Sequence, residues 1–194
     1  MTKEALRKIY RDKRNALSES ELFQISRQLS DWFFISVDLS FIKIVHVYLP
    51  IESKKEPDTW LIVERIRREF PHIRLSVPKV VGEGMENIFF EGLHQLEKTR
   101  WGISEPRQGL PTPSKKIDLV IVPLLAFDTL GHRVGYGKGF YDRFLKECRP
   151  DCQKVGLSLF EPEQEPIESN EYDIPLNSCL TPSSHYLFQT SGSC

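Results

Sequence analysis

The segment Ile117 to Phe127 is the most apolar stretch of the chain, and it runs almost directly into a glycine-rich one, Gly131 to Asp142 (GHRVGYGKGFYD). A continuous apolar run suits a strand covered on both faces. Such a strand needs helices above and below its sheet, which selects an α/β architecture. The rest of the sequence supplies them. Residues 2–16 read as a helix with a basic face. Ser18-Glu19-Ser20-Glu21 is a capping-box signature, and it opens a second helix with Leu22, Ile25, Leu29, Trp32 and Phe33 on its apolar side. Residues 42–49 read as the first core strand, ended by Pro50. A helix from Asp58 or Thr59 to Phe70 follows, with Leu61, Ile62, Ile66 and Phe70 near the helical period. Strands are expected at 73–77, stopped by Pro78, and at 87–91. The proline- and glycine-bearing stretch 102–116 reads as a connector. Tyr141 to Cys148 looks helical, and strands are expected at 154–160 and 184–188. The expected fold is a three-layer α/β/α sandwich with a mostly parallel central sheet. It forms a single domain over residues 1–188, with a loose tail at 189–194.

Composition narrows the partners. The 194 residues carry 26 basic and 27 acidic side chains, a net charge of −1. That balance gives no bulk reason to bind nucleic acid or an anionic membrane. No apolar run approaches the roughly 20 residues of a membrane helix. The N-terminus is charged from the start, which does not suit a secretory signal, so a cytoplasmic location is expected. The four cysteines and five histidines match no common zinc spacing. Cys148 and Cys152 lie four apart and read as reduced thiols.

The candidate chemistry concentrates where a buried strand feeds a glycine cluster and a helix start. Open α/β sheets bind ligands beyond the carboxyl ends of their strands. Gly135, Gly137 and Gly139 let backbone amides approach an anion. Lys138 adds a point charge. Asp142 could hold a cation bridging phosphates, since magnesium favours one or two carboxylates plus phosphate oxygens. The spacing is neither that of the P-loop nor G-x-G-x-x-G, so phosphate cradle and plain glycine turn both remain open. Lys3, Arg7, Arg11 and Arg14 recur at helical steps, as a solvated face or as a second phosphate contact. Glu56, after the first strand, is not needed as a helix cap and could accept from a ligand donor. Pro78-Lys79 could place an amine in the same crevice. Asp173 is an acidic loop residue near the expected site. His46 alternates with apolar residues and reads as a core or sheet-face histidine.

The run 122–145 (VPLLAFDTLGHRVGYGKGFYDRFL) resembles the signature of the 5-formyltetrahydrofolate cyclo-ligase (methenyltetrahydrofolate synthetase) family, with Pro123, Phe127-Asp128, Gly131, Arg133, Gly135, Gly137, Gly139, Tyr141 and Asp142 in place. Lys3-x-x-x-Arg7, Glu56-Pro57-Asp58-Thr59, Val77-Pro78-Lys79, Trp101-Gly102-Ile103 with Glu105-Pro106, and Asn170 to Asp173 resemble its other motifs, in order, over nearly the whole chain. The sequence departs at Tyr136, Lys138 and Phe140, where the family often has arginine or tyrosine, glycine or lysine, and tyrosine. Phe140 lacks the hydroxyl.

The resemblance implies ATP- and magnesium-dependent ring closure of 5-formyltetrahydrofolate to 5,10-methenyltetrahydrofolate by a monomer. It implies ATP contacts at Lys3, Glu4, Ala5, Leu6 and Arg7, and at Arg133, Val134, Gly135, Tyr136, Gly137, Lys138, Gly139, Phe140 and Tyr141. Arg133 and Lys138 would be the catalytic pair. The folate would meet Leu49, Glu56 and the segment Tyr136, Gly137, Lys138, Gly139, Phe140. Asp142 and Asp173 would serve magnesium. Two other classes stay open: a non-catalytic nucleotide-binding module, and a sugar-phosphate isomerase or coenzyme A transferase on similar architecture.

Overall fold

A computed structural model describes residues 1–189. The loose tail expected at the C-terminus falls, from residue 190 on, outside the described residues. Seven strands form the main sheet: β1 (Ile44–His46), β2 (Arg74–Val81), β3 (Gly84–Phe90), β6 (Leu119–Val122), β9 (Gln153–Leu157), β10 (Ser178–Leu180) and β11 (His185–Leu187). Their order is β11-β10-β9-β6-β1-β2-β3. The five inner strands run parallel and both edges are antiparallel. Two small pairs lie outside it, β4 (Leu96–Lys98) with β5 (Ser104–Pro106) and β7 (Ala126–Phe127) with β8 (Arg133–Val134). The helices are α1 (Lys3–Ala16), α2 (Glu19–Ser36), α3 (Trp60–Glu69) and α4 (Phe140–Glu147).

The alternation of side chains along the strands builds the layers. Val45, Leu119, Ile121, Val155 and Leu157 meet Leu29 and Phe33 of α2 and Ile62 and Ile66 of α3 on one face. Ile44, Val120, Val122 and Cys179 meet Phe144 and Leu145 of α4 on the other. This is the expected three-layer arrangement. A third cluster, Leu6 and Tyr10 of α1 with Leu125, Ala126 and Val134, fastens α1 onto the β7–β8 pair. The capping box forms as read, with Ser18 and Glu21 exchanging backbone and side-chain bonds.

Five expectations change. Pro78 does not stop β2. It lies two residues past the last β1–β2 pair, His46 with Ser76, where no ladder toward β1 needs the missing N–H. There β2 runs on as a hairpin with β3. The apolar run 117–127 is not one strand. It leaves the sheet after Val122 at Pro123 and pairs again only at Ala126–Phe127. The connector 102–116 contributes β5 to a small pair. Finally, β10, three residues long, was not anticipated and sits buried between β9 and β11. The first strand is also shorter than 42–49: it spans Ile44–His46, Val47 still donates to the Ser76 carbonyl at 2.9 Å, and residues 47–49 stay buried beyond it.

Candidate active site

Residues 48–49 and Pro123 line a cleft of about 600 Å³ at the carboxyl ends of β1 and β6. Strands in an open parallel sheet present this end to ligands. The glycine run forms one wall. Gly137 (φ +90°) and Gly139 (φ +68°) take left-handed conformations that side-chain-bearing residues adopt at a cost. Gly139 is also the cap of α4 and has no side-chain bond over it, so the first-turn amides of α4 open beside the cleft. Lys138 stands exposed between the two glycines.

Helix α1 forms the opposite wall of this half. The Arg7 guanidinium donates to the carbonyl of Gly135 at 3.0 Å and pairs with Glu4 at 3.0 Å. Lys3 donates to Asp173 at 2.6 Å. Burial raises the Asp173 carboxyl, but the Lys3 ammonium and the Asn170 amide outweigh it and hold it below the usual range. Arg133 pairs with Asp142 at 2.7 Å and donates to the carbonyl of Ile174. The Ile174 amide in turn donates to Asp142 at 3.0 Å. Thus the two carboxylates expected to serve magnesium come from α4 and from the late loop, joined through residue 174. Asp142 is bonded through Oδ1 and Asp173 through Oδ2. Among the described residues the second oxygen of each makes no hydrogen bond, so both are available to a cation. That donor set, two carboxylates beside an anion cradle, fits magnesium shared with phosphate oxygens.

The other half of the cleft is drier. Glu56 is 6% exposed, and its Oε2 accepts from the Ile51 amide at 2.7 Å. The phenols of Tyr48, Tyr136 and Tyr141 surround this region. Burial first, then the Glu56 charge, pushes all three above the ordinary tyrosine value. Tyr141 also bonds His46 at 3.0 Å. His46 is fully buried, against Phe144, and its pKa falls to about 3 by desolvation. It is the neutral core histidine that the alternation of the strand predicts. Leu49 lines the same half, and Lys54 lies 4.3 Å over the Tyr136 ring.

The cleft gathers most of the sequence-predicted residues: Lys3, Arg7, Leu49, Glu56, Arg133, Gly135 through Asp142, and Asp173. It does not gather four of the expected ATP contacts. Leu6 and Val134 turn into the core against Tyr10 and Leu125. Ala5 stays out of the lining, and Glu4 faces solvent beside Arg7. Pro78 lines the cleft, but Lys79 turns away to the carbonyl of Arg107. Of the four-residue basic face, Lys3 and Arg7 reach the cleft, Arg11 is exposed, and Arg14 is buried. Thr59 occupies the cap position of α3 without a capping side-chain bond, its hydroxyl donating to the Tyr48 carbonyl, and the neighbouring Asp58 carboxylate accepts from the Trp60 amide at 3.1 Å.

Sequence reasoning missed Asp128 as a scaffold residue. It is fully buried, bonds the amides of Leu130, His132 and Ile167, and pairs with the His132 ring. It thereby ties the β7–β8 turn to the loop that carries Asp173. The Phe-Asp pair before the glycine run was visible, but its partners lie up to 39 residues away.

Comparison with known proteins bears on the same segments. A model of the 5-formyltetrahydrofolate cyclo-ligase family matches residues 1–182. A 5-formyltetrahydrofolate cyclo-ligase of Escherichia coli K12 is 31% identical over 89% of this chain and 96% of its own. The mouse protein of that name is 26% identical over 92% of each. The solved structure of Aquifex aeolicus 5,10-methenyltetrahydrofolate synthetase superposes with a TM-score of 0.84 at 30% identity, covering all of this chain and 96% of that one. With the family pattern spread over nearly its full length and the motif residues drawn into one cleft, the chain belongs to the 5-formyltetrahydrofolate cyclo-ligase family.

Proposed function

We propose that this protein is an ATP- and magnesium-dependent enzyme that closes 5-formyltetrahydrofolate to 5,10-methenyltetrahydrofolate, releasing ADP and phosphate. The observation that carries it is the union, in one cleft, of a cationic glycine cradle with a dry pocket holding a buried carboxylate. Anion and heterocycle can meet there without crossing solvent.

The chemistry needs activation, because a formamide carbonyl is a poor electrophile and its oxygen a poor leaving group. In this reading the formyl oxygen attacks the γ-phosphorus of ATP and ADP leaves. N10 then attacks the resulting iminium carbon, sheds its proton, and phosphate leaves. Positioning and charge stabilisation do most of the protein's work in such transfers. Lys138, Arg133 and the amides of the glycine run stabilise charge developing on the transferred group. Lys3 and Arg7 hold the nucleotide phosphates from α1. Asp142 and Asp173 would hold magnesium, which neutralises phosphate charge when bound. Glu56 accepts from the N–H donors of the pterin and fixes its orientation, with Leu49 and the Tyr136–Phe140 backbone beside it. Phe140 offers the folate a ring but no hydroxyl.

Among the described residues no helix is long and apolar enough to cross a membrane. The reading is of a cytoplasmic monomer, in keeping with the near-neutral charge and the free thiols of Cys148, Cys152 and Cys179. The deciding assay follows the absorbance of the methenyl product from 5-formyltetrahydrofolate with and without ATP and magnesium. Product that needs both supports the proposal. Nucleotide binding without product would make the chain a binding module, and turnover without ATP would favour the isomerase or transferase class.

A further inference from the structure

Three arginines grip the glycine run. The Arg7 Nε donates to the Gly135 carbonyl at 3.0 Å, and Arg143 donates to the Lys138 carbonyl at 3.1 Å. Both side chains line the cleft. The third, Arg14, is 2% exposed and is not part of the lining. Its Nη1 donates to the Tyr136 hydroxyl at 2.7 Å and to the Lys54 carbonyl at 3.5 Å, and its Nη2 donates to the Leu124 carbonyl. Its Nε has no partner among the described residues. A buried cation with only neutral acceptors and one idle donor is a poor way to stabilise a core.

The places of its acceptors explain it better. Leu124 stands two residues before β7, and Tyr136 two residues after β8. The ladder of that hairpin ends at Ala126 with Val134. Beyond it the Arg14 guanidinium joins the arms, one nitrogen to each. The run that follows needs such a point. Gly137 and Gly139 are left-handed, and glycine loses more conformational freedom than any other residue when it is held. Between Val134 and Lys138, Tyr136 is the one residue with a side chain to hold it by. Lys54 covers its ring at 4.3 Å, and Arg14 takes its tip. Arg7 and Arg14 lie two helical turns apart on α1, about 10 Å along the axis. Their targets, Gly135 and Tyr136, are adjacent in sequence, so the length of the tyrosine side chain lets one helix reach both.

We propose that Arg14 is a positioning residue for the nucleotide cradle: by pinning the Tyr136 hydroxyl at the base of the β7–β8 hairpin, it holds the glycine run in its binding shape before ATP arrives. The inference rests on the reading of that run as the ATP cradle. Arg14 touches neither substrate in this arrangement. It acts by preorganisation, which spares the ligand the cost of ordering the run. Its loss therefore shows in nucleotide affinity, and far less in turnover once bound nucleotide has ordered the run itself.

The test takes the full chain as parent, Tyr136→Phe, Arg14→Met, Arg14→Lys, and the double variant Arg14→Met with Tyr136→Phe. Backbone order parameters of Gly137 and Gly139, measured by NMR without ligand, should be near about 0.85 in the parent and fall below about 0.6 in Tyr136→Phe and Arg14→Met. Those of β6 should not change. The dissociation constant for ATP with magnesium, by titration, should rise about tenfold in each of these two, the scale of a lost bond to a charged group. In Arg14→Met, kcat at saturating ATP should stay within about threefold of the parent. Arg14→Lys should recover part of the affinity, because lysine restores a donor. The double should be no worse than the worse single, since both cut one bond. A run that is already mobile in the parent, unchanged order in Tyr136→Phe, multiplying losses in the double, or a fall in kcat with unaltered ATP affinity overturns the proposal. If the Arg14 variants do not fold, the order parameters and ATP titration of Tyr136→Phe decide alone. A parent that binds no ATP would sink the reading of the cradle itself, whereas a parent that binds it, with unaltered variants, would sink only the role of Arg14.

Discussion

The two halves of the cleft are built in opposite ways. The nucleotide half is made of backbone amides, left-handed glycines and charges that keep solvent contact: Lys138 is exposed, and the Lys3–Asp173 pair is only partly covered. The folate half is made of buried groups, with Glu56, Tyr48 and Arg14 almost wholly out of water. In the proposed reading, the difference follows from what each half binds. A triphosphate brings several charges and keeps much of its hydration, so solvated cations that can rearrange onto it suffice. A pterin brings a compact heterocycle whose N–H donors lie at fixed positions, so its recognition needs a carboxylate held in one orientation and kept dry. Buried polar groups impose that orientation because leaving one unpaired costs about 1–3 kcal/mol.

Breaking the solvated half at its centre should have the largest effect. Lys138→Ala is expected to lower kcat by about 100- to 1000-fold, the scale of losing one donor aimed at developing charge. Its melting midpoint should not move, since the side chain is exposed. Near-normal turnover would remove Lys138 from the catalytic pair. Breaking the buried half at Glu56 should give a different signature. Glu56→Gln is expected to weaken folate binding by about tenfold or more with ATP binding nearly unchanged, as read by titration with each ligand. Equal losses would dissolve the distinction between the halves.

A smaller effect tests whether the glycine loop is shaped by conformation. At Gly137 the φ of +90° disfavours any side chain, and an added Cβ would come within 3.3 Å of the Arg7 guanidinium. Gly137→Ala should cost about 1–3 kcal/mol of stability and raise the KM for ATP more than that for the folate. Unchanged denaturation would show that the loop relaxes freely. The smallest effect concerns the Lys3–Asp173 pair. The folded Asp173 carboxyl titrates below its unfolded value, its burial being outweighed by Lys3 and the Asn170 amide. Its contribution is therefore present above the unfolded pKa, near 3.9, and is lost as pH falls through the lower folded value. Lys3→Met should be less stable than the parent at pH 7 by under about 1 kcal/mol. The two should converge as the pH falls below the unfolded value and through the lower folded one. A difference that persists in acid would assign Lys3 a packing role instead.

How far the sequence could be read differed along the same lines. Capping signals and local residue periodicity located the four helices among the described residues, because those are local properties. The glycine run marked one wall of the cleft for the same reason: its left-handed turns depend on backbone freedom that the residue type itself confers. Strand ends were harder. Pro78 looked like a stop, and whether a proline stops a strand depends on which neighbour is still paired beside it. The buried half was least legible. Arg14 shares its spacing with Lys3, Arg7 and Arg11, and nothing in that pattern separates a solvated arginine from a buried one.

By itself, then, the sequence determined the α/β/α class, the helices, and a loop of glycines with Lys138 and Asp142 fit to cradle an anion. The tertiary structure decided which basic residues of α1 face the cleft, that Asp128 is scaffold, and that Leu6 and Val134 belong to the core. It also brought Arg14 and Tyr136, 122 residues apart, into one hydrogen bond. The reason is physical. Backbone preference and amphipathic period are written in neighbouring residues, whereas burial and the partner of a polar group are set by segments distant along the chain.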